Sequence, residues 1–257
     1  ALSHTIADFP KLLRIGTKGY IEEIRAEMAK TPQSDSAKRN LLEAMILCME
    51  GLAAYARNLS KRAELDADAE KDPARKKELL RLAEICGKVP ENPCETLDEA
   101  VNAAWIGWVG LHMESTNAGL SLGRMDQWFQ PYFEADMAKC ATIEERDAAV
   151  KSAIELVGCF YMRCTDHLPL VPDIGNYLFG GSSSDQAITL GGVTPDGEDA
   201  VCDMTYIFLK VTEMLSIRDP NVNARYNREK NSEAYLRRLC EVNLMTTATP
   251  SLHGDTA

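Results

Sequence analysis

The pattern of hydrophobic and polar positions divides the chain into a long helical part and a shorter mixed part. Apolar residues recur at helical spacing from Ile6 to Lys30 and again from about Ser36 to Leu65. Gly16 and Gly19 are possible weak points in the first of these segments. The periodicity continues in later segments, so the first 165 residues are predicted to be mostly helical.

Three polar signals predict where later helices begin. Asp72 stands directly before Pro73, and this pair breaks the preceding pattern and opens a new helix. The sequences TLDE at 96–99 and TIEE at 142–145 have the spacing of a capping box, in which a threonine and a glutamate satisfy each other's backbone N–H groups. Each box precedes an apolar run at helical spacing.

The composition changes after Asp166, where glycines and serines become frequent. Short elements are predicted there: a buried strand in QAITLGGV, a turn at Gly197, a helix in DMTYIFLKVTEML, an extended piece after Pro220, and a last helix capped by Asn231 and Ser232. No clear linker or internal repeat interrupts the chain, which favours one domain over residues 1–257.

Composition narrows the class of protein. With 257 residues, 45% hydrophobic and 26% charged, the chain is typical of a globular protein that buries a sizeable core. Its apolar runs are shorter than the roughly 18 residues that a membrane span needs, and no signal peptide is visible. The net charge of -11, without a basic stripe, argues against nucleic acid as a partner. We expect no membrane association.

Eight cysteines are scattered through apolar stretches, and none forms a C-x-x-C pair. This spacing favours buried, reduced thiols in a cytoplasmic protein over a disulfide framework.

The segment GLHMESTNAGLSLGRMDQWFQPYF, residues 110–133, is the most unusual stretch. His112 and Glu114 are poor metal co-ligands, because a spacing of two places them on different sides of a helix. No phosphate loop or nucleophile elbow is present. Trp105, Trp108 and Met113 are expected in the core, and DQWFQPYF in the core or an interface. The residues alone do not name a reaction.

Four ordered motifs carry a resemblance to a known family. They are SHTIADFPKLLRIGTKGYIEEI, VPENPCETLDEAVNAAW, MESTNAGLSLGRMDQWFQPYFEAD, and AITLGGVTPDGEDAVCDMTYIFL followed by DPNVNARY. In order and spacing they resemble the glycyl radical enzymes, the superfamily of pyruvate formate-lyase and of several radical dehydratases and lyases. The resemblance covers essentially the whole chain.

The resemblance implies an α/β fold, in which this mostly helical segment contributes half of a ten-stranded barrel surrounded by helices. It implies a glycyl radical, installed by a separate AdoMet iron–sulfur activating enzyme, and a homodimer. The family's cysteine and glycine loops have no counterpart here, and none of the eight cysteines lies in a matching context. We therefore assign no catalytic residue and no directly bound cofactor, and expect the chain by itself to be inactive.

The resemblance further implies that parts of this chain line the substrate pocket. Ala118 and Gly119 stand where diol-dehydrating relatives carry a His-Ser pair, a departure that argues against diol dehydration. His4 matches a segment that approaches the substrate, and Asp185 and Gln186 lie near a position that is aromatic in several relatives. For Arg124 and Asp126 we expect a buried, salt-bridged corner instead of a substrate contact.

The function implied is a lyase that eliminates a heteroatom group from a small polar substrate, with C–S cleavage of a hydroxysulfonate such as isethionate as the specific expectation. Alternatives within the family are a dehydratase, a choline-type C–N lyase and an arylacetate decarboxylase. Outside it, a non-catalytic truncated paralogue that binds a partner and an unrelated helical binding module stay open.

Overall fold

The structure is a computed structural model, and it describes residues 2–3, 6–114, 117–166 and 186–255. In this part of the chain the fold is a mixed α/β arrangement in which helices predominate. The helices are α1 (Phe9–Lys30), α2 (Ser36–Ala69), α3 (Pro73–Lys88), α4 (Leu97–Glu114), α5 (Met125–Met137), α6 (Ile143–Asp166), α7 (Asp203–Leu215) and α8 (Glu233–Thr246). The strands are β1 (Leu2–Ser3), β2 (Asn117–Ala118), β3 (Ser121–Gly123), β4 (Ala187–Gly191), β5 (Asn221–Tyr226) and β6 (Ser251–Gly254).

Contacts divide the chain into two compact units. One unit, Asp8–Gly110, is helical, and the other comprises Ala1–Ala7 with Leu111–Ala257 and contains the strands. Helix α4 begins in the first unit and ends in the second. In the described ranges no helix is both long and apolar enough to cross a membrane.

In the helical unit, α1 bends at Gly16, which confirms that weak point; Gly19 lies within the helix. Gly16 has a φ of 63°, and a Cβ atom there would overlap the carbonyl of Glu91. The bend lets the Thr17 N–H donate to the carbonyl of Pro90 at 2.8 Å, away from its own helix. Glycine is therefore required at Gly16 by both its backbone angle and the close approach of a neighbouring segment.

The predicted helix starts are confirmed. The Asp72 carboxylate accepts from the Ala74 N–H at 3.0 Å, and the Thr96 hydroxyl accepts from the Glu99 N–H at 3.2 Å. The box at 142–145 is reciprocal, with the Glu145 N–H donating to the Thr142 hydroxyl and the Thr142 N–H to the Glu145 carboxylate. These bonds satisfy backbone donors that the first helical turn leaves unpaired.

Helices α2 and α3 pack closely because small residues line the buried side of α2. The Ser60 hydroxyl in this stripe donates to the carbonyl of Ala83 on α3 at 2.7 Å. The buried small residues recur every three or four positions: Ala53, Ala56, Ser60, Ala63 and Ala67. Helix α2 continues to Ala69, a few residues beyond its predicted end.

The core prediction for α4 is confirmed for one residue and wrong for another. Trp108 is 1% exposed and lies against Trp105, with ring centroids 4.4 Å apart. Met113 is 62% exposed. Five residues separate it from Trp108, which turns it about 140° around the helix and away from the tryptophan side.

The second unit is built on a parallel sheet with strand order β3-β4-β5-β6. The predicted strand in QAITLGGV is β4, the extended piece after Pro220 is β5, and DMTYIFLKVTEML is α7. The sequence analysis missed β1, β2, β3 and β6, which are only two to four residues long. A strand of that length is too short to show a period of two.

The aromatic run after Gly123 forms helix α5. Phe129 and Phe133 of this helix are buried, which confirms the core expectation for DQWFQPYF. Phe129 stacks on Phe208 of α7 with ring centroids 6.3 Å apart. The stack joins α5 and α7 on one side of the sheet, where both helices contact β4.

Candidate substrate-binding face

The side of the sheet that faces the helices is apolar. Alternate residues of β4 and β5 are buried there, toward α5 and α7. They are Ile188, Leu190, Val222 and Ala224, each no more than 1% exposed. This face packs the sheet against the helices, and the side chains between these residues point to the other face.

The opposite side, which we call the polar face, carries hydrogen-bonding side chains in adjoining rows. Because successive residues of a strand point to opposite faces, Thr189, Asn223 and Arg225 lie on this side. In the ladder Asn223 pairs with both Thr189 and Ser251, and Arg225 pairs with His253. Parallel sheets are usually apolar on both faces, so a polar row is unusual and indicates contact with a polar ligand or with water.

Two side chains of the polar face are bonded to each other. His253 Nε2 lies 3.0 Å from Asn223 Oδ1, and the Asn223 Nδ2 group donates to the carbonyl of Ile188 at 3.4 Å. Neither residue was expected to line the pocket from the sequence. The alternation of polar and apolar residues in NVNARY was the signal available for Asn223, because it places both asparagines and the arginine on one face.

Arg225 is anchored by Asp255 at the carboxyl end of the sheet. The Arg225 Nε–H donates to Asp255 Oδ1 at 2.5 Å, and a second guanidinium nitrogen contacts the same oxygen. The other carboxylate oxygen, Oδ2, accepts from the Val193 N–H at 3.0 Å. The Asp255 side chain is 1% exposed, whereas that of Arg225 is 44% exposed. The carboxylate therefore holds both the arginine and the turn after β4.

The turn after β4 is in close contact with side chains from several elements. Gly191 and Gly192 have φ angles of 62° and 77°, in the left-handed region. A Cβ atom on Gly191 would overlap the hydroxyl of Tyr235, and one on Gly192 would come within 2.7 Å of Arg225 Cβ. The Asn231 amide donates to the Gly192 carbonyl at 2.8 Å. Only glycine fits both positions without displacing these neighbours.

Arg124 and Asp126 form the corner that the sequence predicts, but the bonding differs from the expected salt bridge. The Arg124 guanidinium donates to the carbonyls of Val193, at 2.6 Å, and of Gly191. Asp126 accepts from the Gly191 N–H at 2.8 Å and from the Thr205 hydroxyl at 2.7 Å. Both side chains form hydrogen bonds with the backbone of the turn after β4, where buried N–H and C=O groups need partners.

Burial dominates the electrostatics of this corner. It raises the pKa of Asp126 to about 6, against the lowering effect of the bonds from Gly191 and Thr205 and of the Arg124 charge. Burial also lowers the pKa of Arg124, and the nearby positive charge of Arg225 adds to that effect. The corner is thus a structural anchor whose carboxyl group titrates near neutrality.

The structure brings together three of the segments in which the sequence analysis placed pocket residues. Strand β1 pairs in parallel with β2, so Ser3 lies beside Ala118. Ile6 bridges to Ser121, and Ser121 in turn pairs with Ala187 of β4. These segments enter the sheet at its amino-terminal edge, side by side.

The structure describes three of the five residues that the sequence predicts to line the pocket. His4 and Asp185 lie outside the described residues. Ala118 is in β2, and Gly119 follows it, buried and with a φ of 90°.

Gln186 is fully buried just before β4, and its backbone carbonyl accepts from the Asn221 N–H at 2.7 Å. Its side-chain oxygen and nitrogen have no hydrogen-bond partner among the described residues. A buried amide left unpaired costs about 1–3 kcal/mol, so a polar partner is expected.

The prediction of buried thiols is confirmed for some cysteines and wrong for others. Cys86, Cys94 and Cys164 are buried, whereas Cys48, Cys159 and Cys240 are exposed on the outer sides of their helices. All eight are in helices, at a helix start or in short connections of the described ranges. Burial raises the pKa of Cys86 to about 11 and that of Cys94 to about 12. The Cys202 thiol at the start of α7 is raised to a pKa of about 11 in the same way. In the described part of the chain no three His, Cys, Asp or Glu residues gather as a possible metal site.

Comparison with known proteins identifies the class. The profile of the pyruvate formate lyase-like family matches residues 1–257. Isethionate sulfite-lyase of Nitratidesulfovibrio vulgaris is 34% identical over 97% of this chain and 30% of its own length. Trans-4-hydroxy-L-proline dehydratase of Clostridioides difficile is 30% identical over 86% of this chain and 27% of its own length. A solved structure concerned with 1,2-propanediol dehydration in Roseburia inulinivorans superimposes with a TM-score of 0.89 at 29% identity, over 99% of this chain and 31% of that one.

The chain belongs to the pyruvate formate lyase-like family and thereby to the glycyl radical enzyme superfamily. Its similarity extends to lyases and dehydratases of that superfamily. The chain spans about 30% of the length of the isethionate sulfite-lyases that it matches.

Proposed function

We propose that a full-length protein carrying this chain is a glycyl radical lyase that eliminates a heteroatom group from a small polar substrate, with C–S cleavage of isethionate as its reaction. The observation that carries the proposal is the similarity to isethionate sulfite-lyases along nearly the whole chain. The polar face supports it, because a small hydroxysulfonate needs hydrogen-bonding groups in an enclosed site.

The reaction converts isethionate, HOCH2CH2SO3⁻, into acetaldehyde and hydrogen sulfite. A hydrogen atom leaves the hydroxyl-bearing carbon, and the C–S bond of its neighbour then breaks while the hydroxyl group loses its proton and becomes the carbonyl group. The proton leaves with the sulfite as hydrogen sulfite, and the hydrogen atom returns to the neighbouring carbon, so that atoms balance. The glycyl radical, installed by an AdoMet iron–sulfur activating enzyme, supplies the hydrogen abstraction.

The role of this chain is to bind the substrate and to exclude water. His4, Ala118, Gly119, Asp185 and Gln186 are proposed to line the amino-terminal end of the pocket. Gln186 has the strongest support, because its buried amide has no hydrogen-bond partner in the part of the chain that the structure describes, and a substrate oxygen would provide one. The half-barrel arrangement, a homodimer and a cytoplasmic location belong to the same proposal.

A dehydratase is the second candidate, because trans-4-hydroxy-L-proline dehydratase and the propanediol structure are also similar to this chain. Ala118 and Gly119 count against a diol substrate, since neither side chain can donate to a hydroxyl group. Gly119 also has a φ of 90°, at which any other residue would be strained. A side chain that binds the diol at Gly119 would therefore need a different local backbone.

The test is anaerobic activation of the full-length protein by its activating enzyme. We expect an organic radical signal in electron paramagnetic resonance and release of sulfite from isethionate. Glycerol, 1,2-propanediol and trans-4-hydroxy-L-proline are the matched alternative substrates, assayed for loss of water. A radical without sulfite but with dehydration would establish the second candidate, and the absence of a radical with a competent activating enzyme would refute both.

A further inference from the structure

We propose that Asn223 and His253 form a hydroxyl-binding pair on the polar face and that the pair determines which hydroxylated substrates the site accepts. This inference rests on the proposed function, since it assigns a binding role within the same pocket. It differs from the pocket lining inferred from the sequence, because neither residue was identified there.

The first argument is the fixed orientation of the Asn223 amide. Its Nδ2 group faces the carbonyls of Ile188, at 3.4 Å, and of Asn221, at 3.5 Å. Carbonyl oxygens accept only, so the nitrogen of the amide must be on that side. The amide oxygen consequently points at His253 Nε2, from which it is 3.0 Å away.

The second argument follows for the imidazole. An amide oxygen can only accept, so His253 Nε2 must carry the hydrogen in this bond. In the neutral ring Nδ1 is then an unprotonated acceptor. Within the described part of the chain no protein group is bonded to Nδ1, and the residue is exposed on the polar face. The pair therefore presents a lone pair whose direction is fixed by the protein.

An acceptor of this kind selects for a hydrogen-bond donor. A hydroxyl group donates to a lone pair, whereas a sulfonate or carboxylate group, which only accepts, is repelled by it. A site built to bind a hydroxyl group rejects analogues that lack it, because its own polar group is then left unpaired. The ligand class is thus a small molecule with a hydroxyl group at the end that faces β5 and β6.

The pair lies close to the amino-terminal edge of the sheet. Ser121, Ala187 and Asn221 share a row of the sheet, and Asn223 lies two residues further along β5. At about 3.3 Å per residue, Asn223 is therefore about 7 Å along the strands from that row. The pair thus lies near Ala187, the neighbour of Gln186.

The experiment measures ligand binding to the full-length protein before activation, so that it does not depend on radical chemistry. Ligand-observed NMR titrations use isethionate, glycerol, 1,2-propanediol and trans-4-hydroxy-L-proline as probes. His253→Phe keeps a ring but removes the acceptor, and His253→Gln keeps both a donor for Asn223 and an acceptor. Leu252→Ala, on the neighbouring position of β6, is the matched control.

We expect the probe that binds the unmodified protein most tightly to lose at least about tenfold in affinity with His253→Phe, and less than about threefold with His253→Gln or Leu252→Ala. Asn223→Leu removes the bond that orients the imidazole, so the loss in affinity should lie between those of His253→Gln and His253→Phe. The double variant should bind no more weakly than His253→Phe alone, because the two residues act as one unit.

The inference is overturned if none of the four probes binds the unmodified protein, if His253→Phe leaves the affinity of the bound probe unchanged, or if the two single losses simply add. Ethanesulfonate, which lacks the hydroxyl group of isethionate, provides a further contrast. If isethionate is the bound probe, the preference for it over ethanesulfonate should vanish in His253→Phe. Intact binding together with a failure to form a radical would refute the proposed function and leave this inference standing.

Discussion

The two faces of the four-stranded sheet use the same strands in opposite ways. Toward the helices, β4 and β5 present buried apolar side chains at alternate positions, and β4 contacts α5 and α7. On the polar face, the residues between them are Thr189, Asn223 and Arg225, and the last two donate hydrogen bonds to Ile188 and to Asp255. Packing and the proposed binding therefore use alternate positions of one short sequence, so substitutions one residue apart should have different consequences.

Substitutions in the turn after β4 should reduce stability the most. Gly191→Ala places a Cβ atom on the hydroxyl of Tyr235 in a residue with a φ of 62°. We expect a loss of about 3–5 kcal/mol in the free energy of unfolding, or failure to fold, because the tyrosine is buried and cannot move away. Thermal unfolding of the full-length protein measures the effect.

Gly197→Ala is the matched control for that prediction. Gly197 also has a positive φ, of 79°, but nothing lies within 4 Å of the position of its Cβ atom. The cost should be only about 1 kcal/mol, which is the backbone strain alone. Equal losses for the two variants would show that the contact with Tyr235 does not matter.

A pair of neighbouring substitutions tests the division between faces directly. Ile188→Ala removes a fully buried side chain from the helix-covered face and should cost about 2–4 kcal/mol. Thr189→Ala, on the polar face, should cost less than about 1 kcal/mol. Amide hydrogen exchange of peptides from β4 and β5 reports the free energy of local opening for both variants. A larger loss for Thr189→Ala would mean that the polar face is the one that holds the sheet together.

The last prediction concerns pH. The pKa of Asp126 is raised by burial from 3.8 to about 6 in the folded protein, so between these values the folded state holds a proton that the unfolded state has lost. The stability that this group contributes is present below about pH 4 and is lost as the pH rises toward 6. Asp126→Asn cannot ionise, so the variant should gain on the unmodified protein by up to about 1.4 kcal/mol per pH unit in that window.

Thermal unfolding midpoints of Asp126→Asn and the unmodified protein at pH 4, 5 and 6 measure this gain. The lost hydrogen bond to Gly191 or Thr205 shifts all three midpoints of the variant together, which separates it from the pH effect. Parallel curves for the two proteins would show that Asp126 does not change its protonation state in this range.

The long elements were predictable from the sequence because their signals are local. A helix such as α2 repeats its apolar positions over many turns, and Asp72, Thr96 and Thr142 mark helix starts through bonds to residues two or three positions away. Strands β3 and β6 depend on partners far along the chain and contain three and four residues, so no period was visible. Met113 was misjudged because spacing alone did not fix which side of α4 is covered.

The site was predictable only in outline. The family resemblance indicated the segments around Ala118 and Gln186, and the sheet does bring these segments to one edge. The bond between Asn223 and His253 joins residues 30 positions apart, and their pairing follows from the register of β5 and β6, which no single segment encodes. The Arg124 corner was placed correctly, but its partners are backbone groups of a distant turn and leave no trace in residue types.

The spatial order of strands β3, β4, β5 and β6 is also their order along the chain. During synthesis on the ribosome, each new strand therefore meets an edge formed by the strand made just before it, and no earlier strand has to be displaced to admit it. The intervening helices α5, α7 and α8 are made between these strands and can cover one face as it grows. Assembly can thus proceed in one direction, with the newest strand always at the open edge.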